Sequence, residues 1–305
     1  MGRQVMVHAA VGVLLGTGLL APGGAEGVRT APLGTFTEAY VRSAATMSAA
    51  GEPYASWAAS GRRFLAFDPR GDGTAVEAVG DLATAGRIVV LVPGVDSTLR
   101  DFDRGLGGIA RRAPAVQARS LCGALRVADP AARVAVVAWL GYDAPEGVGL
   151  EAARDVRARA GAAALAAFVA AVARQRPAAT VVLVGHSYGA IVVGLAAPHV
   201  GPAVTDLVAL GAPGMGVDRA ADLGTSARVW SALAGTDWIR RVPPVRLGRL
   251  GHGVPPSANA FGARPLPAER VRGHDGYLDP GTDTLVAVAA VVLGAPLGAG
   301  VGGGR

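Results

Sequence analysis

The sequence contains no lysine, so all 29 of its basic residues are arginine. It has a single cysteine, Cys122, which excludes an intramolecular disulfide bond. No group of cysteines and histidines has the spacing of metal ligands, and neither a metal ion nor an organic cofactor is expected. Aromatic residues make up only 5% of the chain while 51% is hydrophobic, so a large core must be built mainly from alanine, valine and leucine. Cys122 lies in an apolar stretch and is predicted to be a buried structural thiol.

The excess of basic over acidic residues does not by itself indicate a nucleic-acid partner. The net charge is +6 and the isoelectric point is about 10.3. The arginines are scattered and often lie beside acidic residues, as in 151–155, and no arginine-rich run is interleaved with aromatics. No nucleic-acid partner is expected, whereas a mild attraction to anionic cell-surface polymers or lipids stays open.

The first 25 residues are typical of an export signal. Arg3 supplies a positive charge, 11–20 form an apolar stretch, and small residues precede a predicted cleavage site after Ala25. The alternative is an uncleaved membrane anchor, although the apolar stretch is short for a full span and His8 precedes it. No other segment is predicted to be apolar for long enough to cross a membrane. The sequence thus predicts a secreted or cell-envelope protein with no stable transmembrane span after cleavage.

Three further segments follow the signal. Residues 26–60 are alanine-rich and predict one or two helices, 61–294 predict one α/β domain, and the glycine-rich tail 295–305 is predicted to be disordered. Within the domain, strands are predicted at 63–67, 74–79, 88–92, 134–139, 180–184, 204–210 and 227–233. Helices are predicted at 99–127, at 150–174, from 190 onward and at 282–293. Apolar strands alternating with helices indicate a mostly parallel central sheet covered by helices on both faces.

The most informative motif is Gly185-His186-Ser187-Tyr188-Gly189, which follows the apolar strand 180–184. A strand, a sharp turn and a helix are the context of a nucleophile elbow, in which the turn strains the serine backbone and exposes its Oγ. Glycines two residues before and after leave room where a Cβ would collide with the neighbouring strand and helix. A glycine-rich turn without catalytic meaning is the alternative, but the flanking strand and helix favour Ser187 as a nucleophile.

A serine nucleophile needs a base and an acid, which follow it in this order along such a chain. His274 lies before the last helix and is the predicted base, with His252 as its rival. Asp237 follows the strand 227–233 and is the predicted acid, although it could instead cap the following turn. Asp218, after the preceding strand, is the rival acid.

The oxyanion hole is predicted to use the backbone amides of Tyr188 and Val95. The loss of one such donor typically costs about 2.7–4 kcal/mol of transition-state stabilisation. Asp96 would oppose the developing negative charge if it faced the hole, and it is predicted to point away and cap the next helix with Ser97.

Several other residues, Asp96 among them, are candidates for the wall of a substrate pocket. Trp139, Tyr142 and Asp143 lie past the carboxyl end of a strand at the same edge of the sheet, where they could line an acyl or leaving-group pocket, although ordinary loop packing is the equal alternative. If His252 is not the base, it is expected to line the pocket or to order its loop.

These motifs resemble a family of α/β-hydrolase-type domains of unknown function that are common in actinobacteria. The similar stretches are 64–73, 90–95, 138–145, 184–189, 211–217 and 273–277. The resemblance implies an α/β-hydrolase fold and a triad of Ser187, Asp237 and His274. Members tend to carry glycine after Pro-Gly-Val where this chain has Asp96, and this departure bears on the geometry of the oxyanion loop.

The sequence as a whole predicts an exported serine hydrolase, similar to carboxylesterases or lipases, that cleaves small-molecule or lipid esters through an acyl-enzyme. One alternative is a catalytically inactive α/β-hydrolase fold that acts as a binding protein of the cell envelope. The other is an acyltransferase with the same triad. The sequence carries no signal for a particular oligomeric state.

Overall fold

The computed structural model describes residues 33–297. The predicted signal peptide and its cleavage site lie outside the described residues, as do 26–32 of the predicted helical segment and 298–305 of the predicted tail.

The centre of the molecule is an eight-stranded sheet in the order β1-β2-β4-β3-β5-β6-β7-β10. The strands are β1 (Arg63–Asp68), β2 (Thr74–Gly80), β3 (Arg87–Val92), β4 (Val134–Leu140), β5 (Thr180–His186), β6 (Val204–Leu210), β7 (Arg228–Ala232) and β10 (Arg264–Pro265). Only β2 runs against its neighbours, since it pairs antiparallel with β1 and β4 while the other adjacent pairs are parallel. A separate two-stranded hairpin consists of β8 (Arg246–Leu247) and β9 (Leu250–Gly251).

Helices cover both faces of this sheet. They are α1 (Phe36–Ala50), α2 (Tyr54–Ala59), α3 (Pro114–Ala128), α4 (Leu150–Ala153), α5 (Val156–Gln175), α6 (Gly189–Ala196) and α7 (Asp283–Leu293). The buried residues of α5 and α6 form one core with the sheet, and those of α3 and α7 form a second core on the other face. This arrangement confirms the predicted mostly parallel sheet with helices on both faces. Helix α1, from the predicted segment 26–60, contributes buried residues to both cores, and α2 packs against the second.

Two predicted helices are shorter than expected. The prediction 99–127 was wrong in its first half, where short 3₁₀ turns precede α3 and the helix begins at Pro114. Proline favours the first position of a helix, and Gly105, Gly107 and Gly108 have positive φ angles that an α-helix cannot contain. The predicted helix 150–174 is interrupted at Arg154 and Asp155, which separate α4 from α5.

Helix α5 corrects the expectation that no segment beyond the N-terminus is long and apolar enough to cross a membrane. Its 20 residues meet that criterion by length and composition. In the structure its buried side, which includes Leu165, Val169 and Val172, packs in the core. An alanine-rich core helix passes the same test as a membrane span, so composition did not distinguish the two.

Cys122 lies on the buried side of α3 and is 1% exposed. Its Sγ is 3.7 Å from the carbonyl oxygen of Val79, and burial raises the pKa of the thiol. A buried, protonated thiol matches the predicted structural role.

Candidate active site

The candidate site lies at the carboxyl edge of the parallel strands, where three loops meet. Ser187 follows β5 directly, Asp237 follows β7 after a short turn, and His274 lies between β10 and α7. Because parallel strands end at the same edge, residues that are 37 and 87 positions apart in sequence are brought into contact.

The turn at Ser187 has the strained geometry that the motif predicts. Ser187 has a φ of 54°, in the left-handed region, and its amide donates to the carbonyl of Leu210 at 2.9 Å. A Cβ on Gly185 would lie 2.5 Å from Cα of Ala190, so the strand and the helix can approach this closely only because glycine is there. Strained backbone of this kind is concentrated at functional sites.

Ser187, His274 and Asp237 form a continuous hydrogen-bonded chain. Oγ of Ser187 is 2.9 Å from Nε2 of His274. Nδ1 of His274 is 2.9 Å from Oδ1 and 3.0 Å from Oδ2 of Asp237. The three side chains that the sequence predicted as a triad therefore have the distances that proton transfer from serine to histidine requires.

The carboxylate of Asp237 is 3% exposed and receives two further hydrogen bonds. The hydroxyl of Tyr277 donates to Oδ2 at 2.5 Å, and the amide of Ile239 donates to Oδ1 at 2.9 Å. Burial acts to raise the pKa of Asp237, but the bonds from His274, Tyr277 and Ile239 outweigh it and lower the pKa. These hydrogen bonds keep the carboxylate ionised although it is buried. Asp237 also caps the turn Trp238–Arg241, so the two roles considered for this residue coexist.

Tyr277 was not predicted from the sequence, and its substitution tests how much it contributes to the position of Asp237. We expect Tyr277→Phe to lower kcat by roughly 3- to 10-fold with KM unchanged, since only the support of the carboxylate is removed. The free energy of unfolding should fall by about 1–3 kcal/mol, because the amide of Ala234, which donates to the same hydroxyl at 3.1 Å, also loses its partner. Steady-state kinetics and urea unfolding measure the two effects. A changed KM with unchanged kcat would contradict the positioning role.

The two rival residues lie elsewhere. Asp218 pairs with Arg246 at 2.7 Å, with almost half of its side chain exposed. Nε2 of His252 donates to the carbonyl of Ala152 at 2.7 Å, and its ring lies edge-on to Tyr188. Neither side chain contacts Ser187 or His274, and His252 does not line the cleft at Ser187. The ring of His252 instead holds its own loop against the end of α4.

His186, the variable residue of the elbow, tethers the loop that carries His274. Its Nε2 lies 2.7 Å from the carbonyl oxygen of His274, to which the ring donates. Burial and the nearby His274 lower the pKa of His186 to about 4, so this ring is neutral at pH 7. The sequence showed that His186 could not serve as the base, but it did not reveal this contact with a loop 88 residues away.

The oxyanion loop after β3 lies against the nucleophile. A Cβ on Gly94 would be 2.8 Å from Cβ and 3.3 Å from Oγ of Ser187, so only glycine allows this approach. Within residues 33–297, the amides of Val95 and Tyr188 donate to no protein acceptor. Both amides are therefore available to an oxyanion, as their predicted role requires.

Asp96 has a φ of 58°, in the left-handed region that favours glycine, which is the residue the resembled family tends to carry here. Glycine adopts the left-handed region freely, and aspartate tolerates it better than most residues. The carboxylate accepts a hydrogen bond from the amide of Gly147 at 2.6 Å, while the next helical turn is capped by Thr98. The expected cap by Asp96 and Ser97 was therefore wrong, although both residues line the cleft.

Trp139, Tyr142 and Asp143 do not line the cleft, contrary to one of the two expectations for them, and Asp143 pairs with Arg157 instead. Trp139 and Tyr142 are both 2% exposed, and their rings stack with centroids 6.1 Å apart. The hydroxyl of Tyr142 donates to the carbonyl of Pro93 at 2.7 Å. Their contribution is to support the oxyanion loop from the core.

The cleft above Ser187 has a volume of about 170 Å³. Two features of its wall were not foreseen from the sequence. The ring of Trp238 lies 4.7 Å from that of His274, and Arg112 pairs with Asp275 at 2.7 Å beside the base. Typical pockets for drug-sized ligands hold about 300–1,000 Å³, so this cleft accommodates a small group or the reacting part of a larger molecule.

Comparisons with known proteins place this chain in a family. A family model described as alpha/beta hydrolase matches residues 68–247. An uncharacterized protein of Mycobacterium tuberculosis is 31% identical over 267 residues, which cover 75% of this chain and 39% of the relative. An uncharacterized protein of Mycobacterium bovis is 35% identical over 165 residues, 52% of this chain and 59% of the relative. The chain thus spans about two fifths of the length of the first of these curated relatives.

Among solved structures, the chain is similar to a carboxylesterase from Mesorhizobium loti, with a TM-score of 0.43 and 17% identity over 75% of this chain and 98% of that one. A dienelactone hydrolase from Anabaena variabilis gives a TM-score of 0.43 and 18% identity over 72% of this chain and 88% of that one. The match to the family model covers more than half of the chain and includes the elbow and Asp237. The chain belongs to the α/β-hydrolase family.

Proposed function

We propose that the protein is a serine hydrolase that cleaves carboxylic esters through an acyl-enzyme on Ser187. The observation that carries the proposal is the chain of contacts from Oγ of Ser187 to Nε2 of His274, and from Nδ1 of His274 to Asp237. Membership of the α/β-hydrolase family supports a hydrolase more generally.

In the proposed mechanism, Oγ of Ser187 attacks the ester carbonyl while Nε2 of His274 accepts its proton. Asp237 accepts the Nδ1–H of His274, which fixes the tautomer and stabilises the imidazolium. The amides of Tyr188 and Val95 bind the oxyanion of the tetrahedral intermediate. His274 then protonates the leaving alcohol, and a water molecule activated by the same imidazole hydrolyses the acyl-enzyme.

The dimensions of the cleft bear on the substrate class. A cleft of about 170 Å³ accommodates a short acyl group, or the ester end of a longer molecule whose remainder stays outside. We therefore include both small-molecule and lipid esters among the proposed substrates. The export signal predicted in 1–25 leads us to propose that the enzyme acts outside the cytoplasmic membrane.

A fluorophosphonate probe tests the proposal directly, because it phosphonylates only a serine that a neighbouring base has activated. We expect one equivalent of label on the folded protein, located at Ser187 by mass spectrometry of the modified peptide. Heat-denatured protein serves as the control and should remain unlabelled. Release of 4-nitrophenol from its acetate and butyrate esters then measures turnover, and product analysis with an added alcohol distinguishes hydrolysis from acyl transfer.

A folded protein that takes no label and releases no nitrophenol would overturn the proposal. That result would favour the alternative of a binding protein that has retained the fold without the reaction. Label at another serine would preserve a hydrolase but not this assignment of the nucleophile.

A further inference from the structure

An exposed apolar surface borders the cleft. We call it the cleft rim, and it consists of Trp238, Val148, Leu150 and the hairpin 245–250. Its six large apolar side chains are between 40% and 82% exposed, namely Trp238, Val148, Leu150, Val245, Leu247 and Leu250. Such a concentration of exposed apolar side chains marks an interaction surface on a soluble domain.

The cleft rim is continuous because backbone contacts join its two parts. Leu250 forms a β-bridge with Arg154, which directly follows α4. The amide of Asp155 donates to the carbonyl of Arg249 at 3.2 Å. Leu150 begins α4, one helical turn before Arg154, so it lies beside the hairpin. Val148 and Trp238 also line the cleft, and the apolar surface therefore reaches the opening above Ser187.

The segment that carries Trp238 and the hairpin has charge of one sign. From Trp238 to Ala268 the sequence contains five arginines and no acidic residue over 31 positions. Arg240 and Arg241 form no ion pair with any residue between 33 and 297, and both are exposed. Three of the nearby acids are paired with arginine: Asp155 with Arg249, Asp218 with Arg246 and Glu151 with Arg157. Glu146, two residues before Val148, is an exposed acid beside this surface.

We propose that the cleft rim binds the surface of an anionic lipid bilayer. Its leucine and valine side chains would enter the interface between headgroups and acyl chains, while Arg240 and Arg241 contact lipid phosphates. Exposed apolar side chains flanked by unpaired cations are the combination by which peripheral proteins bind such surfaces. Trp238 belongs to the same surface, and tryptophan favours the bilayer interface. Bound in this way, the protein would hold the opening of its cleft against the membrane.

Vesicle binding tests the proposal without requiring any catalysis. The probes are vesicles of ether-linked phosphatidylglycerol, which an esterase cannot hydrolyse, and of ether-linked phosphatidylcholine as the neutral comparison. We expect the full chain to sediment with the anionic vesicles and at least tenfold less with the neutral ones. Leu247→Ser combined with Leu250→Ser should lower the partition coefficient at least tenfold. Val127→Ser is the matched control, because Val127 is 84% exposed, close to the 82% of Leu247, but lies on α3.

The arginines are tested in the same assay. Arg240→Gln with Arg241→Gln should lower binding to anionic vesicles at least fivefold and weaken its dependence on salt. Arg126→Gln with Arg133→Gln removes two exposed charges elsewhere and should have little effect.

The proposal would be overturned if the variant with Leu247→Ser and Leu250→Ser bound anionic vesicles as strongly as the wild type does. It would also be overturned if the wild type proved dimeric by sedimentation and the leucine variant monomeric, since a second copy would then cover this surface. Failure to bind vesicles would leave the proposed esterase reaction untouched, because that reaction is measured on soluble esters.

Discussion

Ser187→Ala is expected to lower kcat for ester hydrolysis by about 10⁶-fold, the largest effect of any single substitution in this protein. The alanine cannot form an acyl-enzyme, so His274 and Asp237 lose the group on which they act. Residual turnover would come from water attacking a substrate held by the oxyanion amides. The measurement is kcat for a 4-nitrophenyl ester, which should fall to this residual level, together with fluorophosphonate labelling, which should disappear.

Ser97→Ala provides the matched control for this substitution. Ser97 is a second serine on the wall of the same cleft, but it forms no hydrogen bond with either His186 or His274. We expect less than a tenfold change in kcat and full labelling. Equal losses in the two variants would mean that damage to the cleft, rather than removal of the nucleophile, explains the result.

Asp237→Asn is expected to lower kcat by about 10⁴-fold with little change in KM. The amide oxygen of asparagine can still accept from Tyr277 or Ile239, so the turn should remain folded. The amide nitrogen, however, would donate to Nδ1 of His274 and place the imidazole proton on Nε2. The ring would then present a donor to Ser187 where the reaction needs an acceptor. Circular dichroism and a thermal unfolding curve establish that the variant is folded.

Asp218→Asn is the comparison that separates the two candidate acids. Asp218 bonds to Arg246 and to the amide of Val254, at the surface and away from His274. We expect its substitution to leave kcat within a factor of two. A larger loss in Asp218→Asn than in Asp237→Asn would reverse the assignment of the acid.

The site residues that could be predicted from the sequence are those whose position follows from the succession of strands, turns and helices along the chain. Ser187 could be assigned because five strand-favouring residues, a glycine-flanked turn and a helix follow one another without interruption. Asp237 and His274 could be placed because the ends of parallel strands meet at one edge, so position after a strand nearly fixes position in space. These three side chains do meet in the structure.

The residues that could not be predicted are those whose role depends on contacts distant in sequence. Tyr277 supports Asp237 across 40 positions, and His186 holds the loop of His274 across 88. Nothing in the local pattern of either residue indicates its partner. Strand β10 was missed for a different reason, because two residues that include a proline give no periodic signal. The same holds for the hairpin of β8 and β9, whose strands also have two residues each.

The short length of β10 affects how readily the protein associates with other copies of itself. Strand β10 ends the sheet beside β7, and an edge strand ordinarily offers free backbone groups to which another chain can add. This edge has two residues, of which Pro265 has no amide hydrogen and Arg264 is charged and exposed. Both features oppose the addition of a further strand. The β10 edge is therefore protected against edge-to-edge aggregation, and lengthening β10 or replacing Pro265 by valine would remove that protection while leaving the catalytic residues in place.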